Sequence, residues 1–290
     1  MRRQLAAWGL VLNAFVWGVS WWPFRELQQL GLHPLWATAI IYLLALLCLQ
    51  ASKPGAWRAL GQHPLLWLLM LATGLSNVGF NWAVTVGDVV RVVLLFYLMP
   101  AWTVPLAWGL LGEKPGVRSL LRLALALTGV LIVLKTPGSA WPLPSGLADW
   151  LALVGGFSFA LTNVLLLKLK NTPDEARAFA MFGGGTLLAL AAALGSMQLG
   201  LAPAPPALAA DWLQLALFTG IAFLAANLGL QYGAARLPAN ATALIMLTEV
   251  VFASVSSVLL GAAELSLRTL LGGMLILLAA LLAALPSGKQ

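Results

Sequence analysis

The sequence predicts an all-α polytopic membrane protein, with ten transmembrane helices arranged as two inverted five-helix repeats. Three observations carry this expectation: long apolar runs recur from end to end, the cations sort by side, and the second half repeats features of the first. Of 290 residues, 61% are hydrophobic and only 9% are charged. Soluble domains carry about 25% charged residues, so this chain cannot cover a soluble surface. A run of about 20 apolar residues spans roughly 30 Å of hydrocarbon as a helix. A transmembrane β-barrel would instead show alternating segments of about ten residues, and these are absent.

The expected spans are 5–24, 34–50, 64–86, 91–111, 119–135, 150–168, 177–199, 212–234, 240–260 and 267–285. The longest connections, 50–63, 136–149 and 200–211, hold Pro, Gly and Ser, the residues of turns and loops. The first run follows Arg2 and Arg3 and has the look of a signal peptide, but its length and the nine runs behind it argue for a retained span. Cytoplasmic loops carry the excess of Lys and Arg. Alternate loops put Arg2, Arg3, Lys53, Arg58, Lys114, Arg118, Arg122, Lys168, Lys170, Arg177, Arg236 and Lys289 on one side, and only Arg25, Arg91, Lys135 and Arg268 on the other. The split of twelve to four favours ten spans with both termini in the cytoplasm, since one span more or fewer would move the later loops across. The net charge of +7 is scattered and forms no patch with interleaved aromatics, so no nucleic acid partner is expected. Cys48, the single cysteine, gives no disulfide framework and is expected to pack inside a helix bundle.

The internal repeat appears at an offset of 142 to 150 residues. Leu110-Leu111-Gly112-Glu113 before Arg118-Ser119-Leu120-Leu121 meets Leu259-Leu260-Gly261 with Glu264 before Arg268-Thr269-Leu270-Leu271. Thr73-Gly74 and Asn81 meet Thr219-Gly220 and Asn227, and Trp8, Phe15 and Trp17 meet Trp150, Phe157 and Phe159. The expected halves are 1–137 and 138–290. Five spans per half is odd, so the second copy lies inverted, a common plan of secondary transporters with a midplane site.

Each half ends a fourth helix in Leu-Leu-Gly with a Glu nearby and opens on an aromatic-small first helix (Phe15 to Gly18; Phe157 to Ala160). In these features the whole chain resembles the drug/metabolite transporter superfamily, EamA type. Tyr97-Leu98-Met99-Pro100 with Trp102 is similar to the aromatic amino-acid exporters of the YddG type. The second copy departs from the pattern, because Glu264 stands three residues after Gly261 rather than directly after it. The resemblance implies a secondary membrane transporter of the bacterial inner membrane, exporting aromatic or other apolar amino acids by alternating access. It implies no cofactor, and partners limited to the lipid bilayer, a small-molecule substrate and protons as a coupling ion. The direction of transport comes from the resemblance alone.

The candidate substrate-binding residues follow from depth and spacing. Glu249 sits near the middle of its span, where an ionised carboxylate costs on the order of 3 kcal/mol, so it is expected to face a cavity or a partner. It is either an acid tying two helices together, or a substrate-ammonium anchor or proton-coupling acid. Asn77 and Asn81, four apart, share a helix face, as do Asn227 and Gln231. These amides serve either as interhelical glue or as ligands for a zwitterion. Ser158 and Asn163, with Asn13 and Thr162, extend the same lining. Trp17, Phe80, Tyr97 and Trp102 lie deep and suit a flat or greasy substrate as well as they suit core packing. Trp8, Trp36, Trp57, Trp67, Trp141, Trp150 and Trp212 lie near span ends, as interfacial belts require. Pro100 and Pro105 interrupt the fourth span as a hinge or a static bend. Gly183-Gly184-Gly185 and Gly272-Gly273 are expected to allow close helix packing. The first, third, fourth, sixth, eighth and ninth spans are expected to enclose the cavity.

His33 and His63 each precede a proline in a loop, so no intramembrane metal cluster is expected. No phosphate-binding glycine frame and no hydrolase signature is present either, so no catalytic residue is expected. The alternatives are a multidrug or cationic-metabolite exporter, for which Glu249 would anchor the cation, and a membrane-embedded enzyme or structural protein, for which no nucleophile-base pair is found.

Overall fold

The structure is a computed structural model that describes residues 2–112, 114–135, 143–234, 236–237, 245–246, 248–263 and 266–284. Among these residues all regular secondary structure is helical. In hydrocarbon no water can satisfy the backbone, so the chain bonds to itself within helices. The helices are α1 (Arg2–Val19), α2 (Trp21–Gln29), α3 (Pro34–Ser52), α4 (Leu65–Val86), α5 (Val89–Phe96), α6 (Met99–Leu111), α7 (Val117–Leu134), α8 (Leu147–Lys168), α9 (Asp174–Gln198), α10 (Ala210–Ala234), α11 (Thr248–Leu259) and α12 (Leu267–Ala284). Counting α1 with α2 and α5 with α6, seven segments are long and apolar enough to cross a membrane, while Leu120–Leu134, Thr248–Leu259 and Leu267–Ala279 are shorter apolar helices on the remaining expected spans.

Two expected spans are bent rather than straight. The first breaks at Ser20, whose backbone N–H and hydroxyl both bond the Trp17 carbonyl (3.2 and 2.7 Å), and then runs on to Gln29, past the expected end at residue 24. The fourth breaks at Tyr97-Leu98, just ahead of Pro100. A proline four residues on has no N–H for the Phe96 carbonyl, and there the ladder shortens, with Leu98 N–H bonding Leu95 and Ala101 N–H bonding Leu98 (3.2 and 2.8 Å). A Cβ on Gly156 of α8 would stand 2.5 Å from that Phe96 carbonyl oxygen, so α8 touches the break backbone to backbone. Pro105 sits inside a continuous α6, and the side chain of Pro100 lies outside the described residues.

The local stops and starts match their residues. Asp88 caps α5, its Oδ1 accepting from Arg91 N–H at 2.8 Å. α6 and α11 are followed by left-handed glycines, Gly112 at φ 74° and Gly261 at φ 67°. The two Leu-Leu-Gly motifs therefore end their helices in the same way. Glu113, Glu264 and Trp141 lie outside the described residues.

The two halves interlock rather than sit side by side. α1 packs on α10, α4 on α8 and α9, α3 on α9, and α7 on α12, each pair joining one half to the other. Lipid tails give helices no hydrophobic reason to associate, so small residues that let backbones approach carry the packing. Gly129 and Gly272 face each other reciprocally, a Cβ on either standing within 2.7 Å of the other's carbonyl oxygen. A Cβ on Gly74 would meet the Gly184 carbonyl at 2.5 Å, and one on Gly184 would collide with the Met70 carbonyl. Two expectations are corrected here. Cys48 is exposed on the outer face of α3 rather than packed, and Trp36 and Trp212 are buried rather than interfacial. Their indole N–H groups donate to the carbonyls of Pro203 and Ala207 (3.1 and 3.0 Å), on the connection between α9 and α10. Trp8, Trp57, Trp67 and Trp150 are exposed.

At the bundle end opposite the chain's start, cations close helix ends. Arg25 donates from α2 to the carbonyls of Val84 and Gly87 (2.9 and 2.6 Å) and lies over the Trp21 ring. Arg91 forms a two-pronged pair with Asp149 (2.8 and 2.7 Å) and also donates to the Val133 carbonyl at 2.5 Å. Asp149 accepts from Ser145 N–H and Oγ–H as well (2.8 and 3.1 Å), at the start of α8. Sequence pattern does not announce this part-buried pair, because Asp149 falls one residue outside its expected span. Breaking it on one side leaves a buried charge, so Arg91→Met should cost about 3 kcal/mol of stability, and Arg91→Met with Asp149→Leu should recover much of that loss. Thermal unfolding in detergent measures both. The same assay should show Gly184→Val destabilised by about 1–3 kcal/mol through overpacking. Gly195→Val, where a side chain meets open space, should stay within about 0.5 kcal/mol.

Candidate binding cavity

A cavity of about 140 Å³ lies among the helices near their middles. A void of about 150 Å³ lined by apolar side chains holds a benzene ring, so this one suits a group of that size. Its wall takes residues from α1, α3, α4, α5, α8, α9, α10 and α11 and from Tyr97 and Met246 beside them. The expected six spans all contribute, and α3 and α9 join them with Ile41, Tyr42, Ala45, Met181 and Phe182.

The aromatic wall is built from both halves. Trp17 of α1 stacks on Phe223 of α10 (4.6 Å, 26°) and meets Phe80 of α4 edge-on (6.5 Å). Phe80 meets Phe96 (4.8 Å), which in turn touches Phe159 (5.3 Å). Edge and offset contacts of this kind are the favoured ring geometries. Tyr42 and Phe182 continue the wall at 6.2 Å from each other.

The polar groups are few and placed. Glu249, 9% exposed, accepts from the Tyr97 hydroxyl through Oε2 at 2.9 Å. Tyr97 reaches it because the break after α5 turns the ring inward at the end of that short helix. Asn77 Oδ1 accepts from the Tyr42 hydroxyl at 2.7 Å. Asn13, 1% exposed, donates Nδ2 to the Ala226 carbonyl of α10 at 2.9 Å, and its Oδ1 has no partner. The hydroxyls of Thr73 and Thr162 donate to helix carbonyls one turn back.

Of the candidates read from sequence, Asn13, Trp17, Asn77, Phe80, Tyr97, Thr162, Asn227 and Glu249 line this cavity. Asn81 does not: fully buried, it donates Nδ2 to Thr38 Oγ1 at 3.1 Å and holds α4 to α3. Trp102 packs edge-on against Phe157 (5.6 Å, 86°), away from the cavity wall. Ser158 is buried behind the wall, where its carbonyl receives the Thr162 hydroxyl, and Asn163 donates Nδ2 toward Met99 Sδ at 3.5 Å. The side chain of Gln231 lies outside the described residues. Tyr42, Thr73, Ser76, Phe182 and Phe223 were missed. A signal for three of them was present: Thr73 stands four before Asn77, Ser76 four before Phe80, and Phe223 four before Asn227, each on the face of a residue already singled out.

Asn81 and Asn227 are equivalent in the repeat, yet only Asn227 reaches the cavity. The glycines seven residues before each asparagine differ in the same sense. A Cβ on Gly74 would strike Gly184 at 2.5 Å, whereas one on its equivalent Gly220 would meet only Leu44 and Ile41 at 3.8 and 3.9 Å. α4 is pressed onto α9, while α10 stands off α3, and the cavity occupies the difference. Among the described residues no group of His, Cys, Asp and Glu could hold a metal ion.

The model of the EamA-like transporter family matches twice, over residues 4–135 and 146–285. An uncharacterized transporter of Pseudomonas aeruginosa is 29% identical over 167 residues, 55% of this chain and 53% of the relative, so the chain spans about half the length of the curated relative it matches. A solved crystal structure superposes with a TM-score of 0.57 over 96% of this chain and 96% of that chain, at 17% identity, which is a likeness of fold. Family and relative are transporters rather than enzymes, and two matches covering most of the chain decide its membership: it belongs to the EamA-like transporter family.

Proposed function

We propose that the chain moves small amphiphilic molecules, aromatic or other apolar amino acids and their amine relatives, out of the cell through this cavity. The observation that carries the reading is the Glu249–Tyr97 pair set among aromatic rings at mid-depth. A mostly apolar hollow with a few convergent polar groups is the usual form of a small-molecule site. The aromatic wall takes the side chain and Glu249 takes the ammonium. The halves, residues 1–137 and 138–290, exchange the pressed α4–α9 contact for a pressed α10–α3 contact, which opens the cavity to the other side. The bacterial inner membrane with cytoplasmic termini is supported by the cation split, and export and the YddG-type likeness by Tyr97-Leu98-Met99-Pro100. Protons compete with the substrate for Glu249 in this scheme. The second reading, a cationic-metabolite exporter, is favoured by the same carboxylate, the one charged side chain among the described lining residues.

Counterflow in proteoliposomes, with labelled phenylalanine and tryptophan and the proton gradient present or collapsed, tests the proposal. Uptake driven by internal unlabelled amino acid supports it, and no uptake of any panel member in either condition overturns it. Glu249→Gln should fold and lose about tenfold or more of the rate, as expected for removing a hydrogen bond to a charged group. Full transport by a well-expressed Gln variant would remove Glu249 from the mechanism. Tyr97→Phe should lose less, a few-fold, because it leaves the carboxylate in place.

A further inference from the structure

We infer that this cavity recognises a protonated amine bearing N–H groups and does not require a carboxylate, with Asn13 as a second acceptor beside Glu249. The inference rests on the transport site proposed above and narrows its substrate class. Three observations on the wall lead to it.

The first is the sense of its hydrogen bonds. The hydroxyls of Tyr42, Thr73, Tyr97 and Thr162 all donate inside the protein, so each turns only oxygen lone pairs to an incoming molecule. The second is Asn13. Its Nδ2 is committed to the Ala226 carbonyl, which fixes the flip of the amide and leaves Oδ1, on a residue of the wall, as a buried acceptor without a partner. A buried acceptor left unmade costs about 1–3 kcal/mol, which a donor entering the cavity would return. The third is charge. Glu249 lines the cavity, and among the described residues no Lys, Arg or His does.

The two acceptors come from adjoining helices of the wall. Asn13 and Trp17, four apart, share one face of α1. α11 lies backbone to backbone against the next turn of that helix, where a Cβ on Gly18 would stand 2.7 Å from the Glu249 carbonyl oxygen. A primary ammonium has three N–H donors, enough for both acceptors, and the flanking rings add attraction to a cation within about 6 Å of their faces. Among the described residues, a carboxylate entering with it would meet neutral donors, such as the amide of Asn77, the hydroxyl of Ser76 and the indole N–H of Trp17, and no cation. A buried charge without an opposite partner is costly. Zwitterions are therefore accepted at a disadvantage, and acids are refused.

Isothermal titration of the purified full-length protein in detergent tests this with four compounds that share one ring and chain: 2-phenylethylamine, phenylalanine, 3-phenylpropionate and trimethyl(2-phenylethyl)ammonium. The amine is expected to bind about tenfold or more tighter than phenylalanine, and 3-phenylpropionate is expected not to bind. Equal or tighter binding of phenylalanine, binding of 3-phenylpropionate, or no binding by the amine overturns the inference. Asn13→Leu should weaken the amine about tenfold and leave the trimethyl compound, which has no N–H, within about twofold. Equal loss for both compounds would overturn the role of Asn13. The comparison of ligands needs no variant, so a poorly folding Asn13→Leu does not spare the main claim. Counterflow reads transport independently: amine-selective binding without counterflow rejects the transport reading alone, and phenylalanine counterflow with no preference for the amine rejects this inference alone.

Discussion

The bundle depends on backbones touching at glycines across the two halves. In hydrocarbon, Leu against Leu gains nothing over Leu against lipid, so cohesion comes from contacts closer than lipid can make. Gly129 against Gly272, Gly9 against Gly229, Gly79 against Leu151 and Gly155, and Gly74 against Gly184 are such contacts, and each joins a helix of one half to a helix of the other. The halves are consequently not two lobes with a seam. Each supplies the surface on which the other packs, and a cavity can exist only where one of these contacts is released.

That release is visible in the repeat. Inverted halves with identical packing would close both ends equally and leave no hollow. Here Gly74 is pressed to Gly184 while Gly220 stands clear of Ile41 and Leu44. Asn81, behind the pressed contact, spends its amide on Thr38, whereas Asn227 lines the hollow. One sequence feature, copied by the repeat, thus has two environments at once. The alternating access proposed above makes use of that property, since its other state would exchange the two environments.

The bundle was legible because its signals are long and redundant. Twenty apolar residues outweigh any local irregularity, and a cation count integrates every loop. Breaks inside spans were less legible, since Pro100 announces a disturbance but not that the ladder gives way at Tyr97-Leu98. In the site, Glu249 stood out because a mid-span acid is expensive, and Trp17, Asn77 and Phe80 followed from face and depth. Asn81, Trp102, Ser158 and Asn163 were equally polar or aromatic and equally deep, yet they face neighbouring helices. Depth can be read along one helix, but facing depends on how far each pair of helices has closed. Tyr42 and Phe182 escaped for the same reason, as they come from α3 and α9, whose separation from α10 and closeness to α4 no single-helix pattern records.

The distribution of charge leads to the final constraint. Three of the four cations on the sparser side, Arg25, Arg91 and Arg268, donate to backbone carbonyls near helix ends, the last to Lys135 at 2.9 Å. Helix ends leave carbonyls without partners, and a guanidinium carries enough donors to take two or three of them. Those cations are therefore held at the end of the bundle and are not available to the acid at its centre. Among the described residues Glu249 is left with one hydroxyl, that of Tyr97. A hydrogen bond to a charged group contributes about 1.5–3 kcal/mol, against a cost on the order of 3 kcal/mol for an ionised carboxylate at this depth. The difference is small enough for the acid to be tolerated. It also leaves the carboxylate responsive, because no fixed cation of the described wall competes with a positive group that enters the cavity.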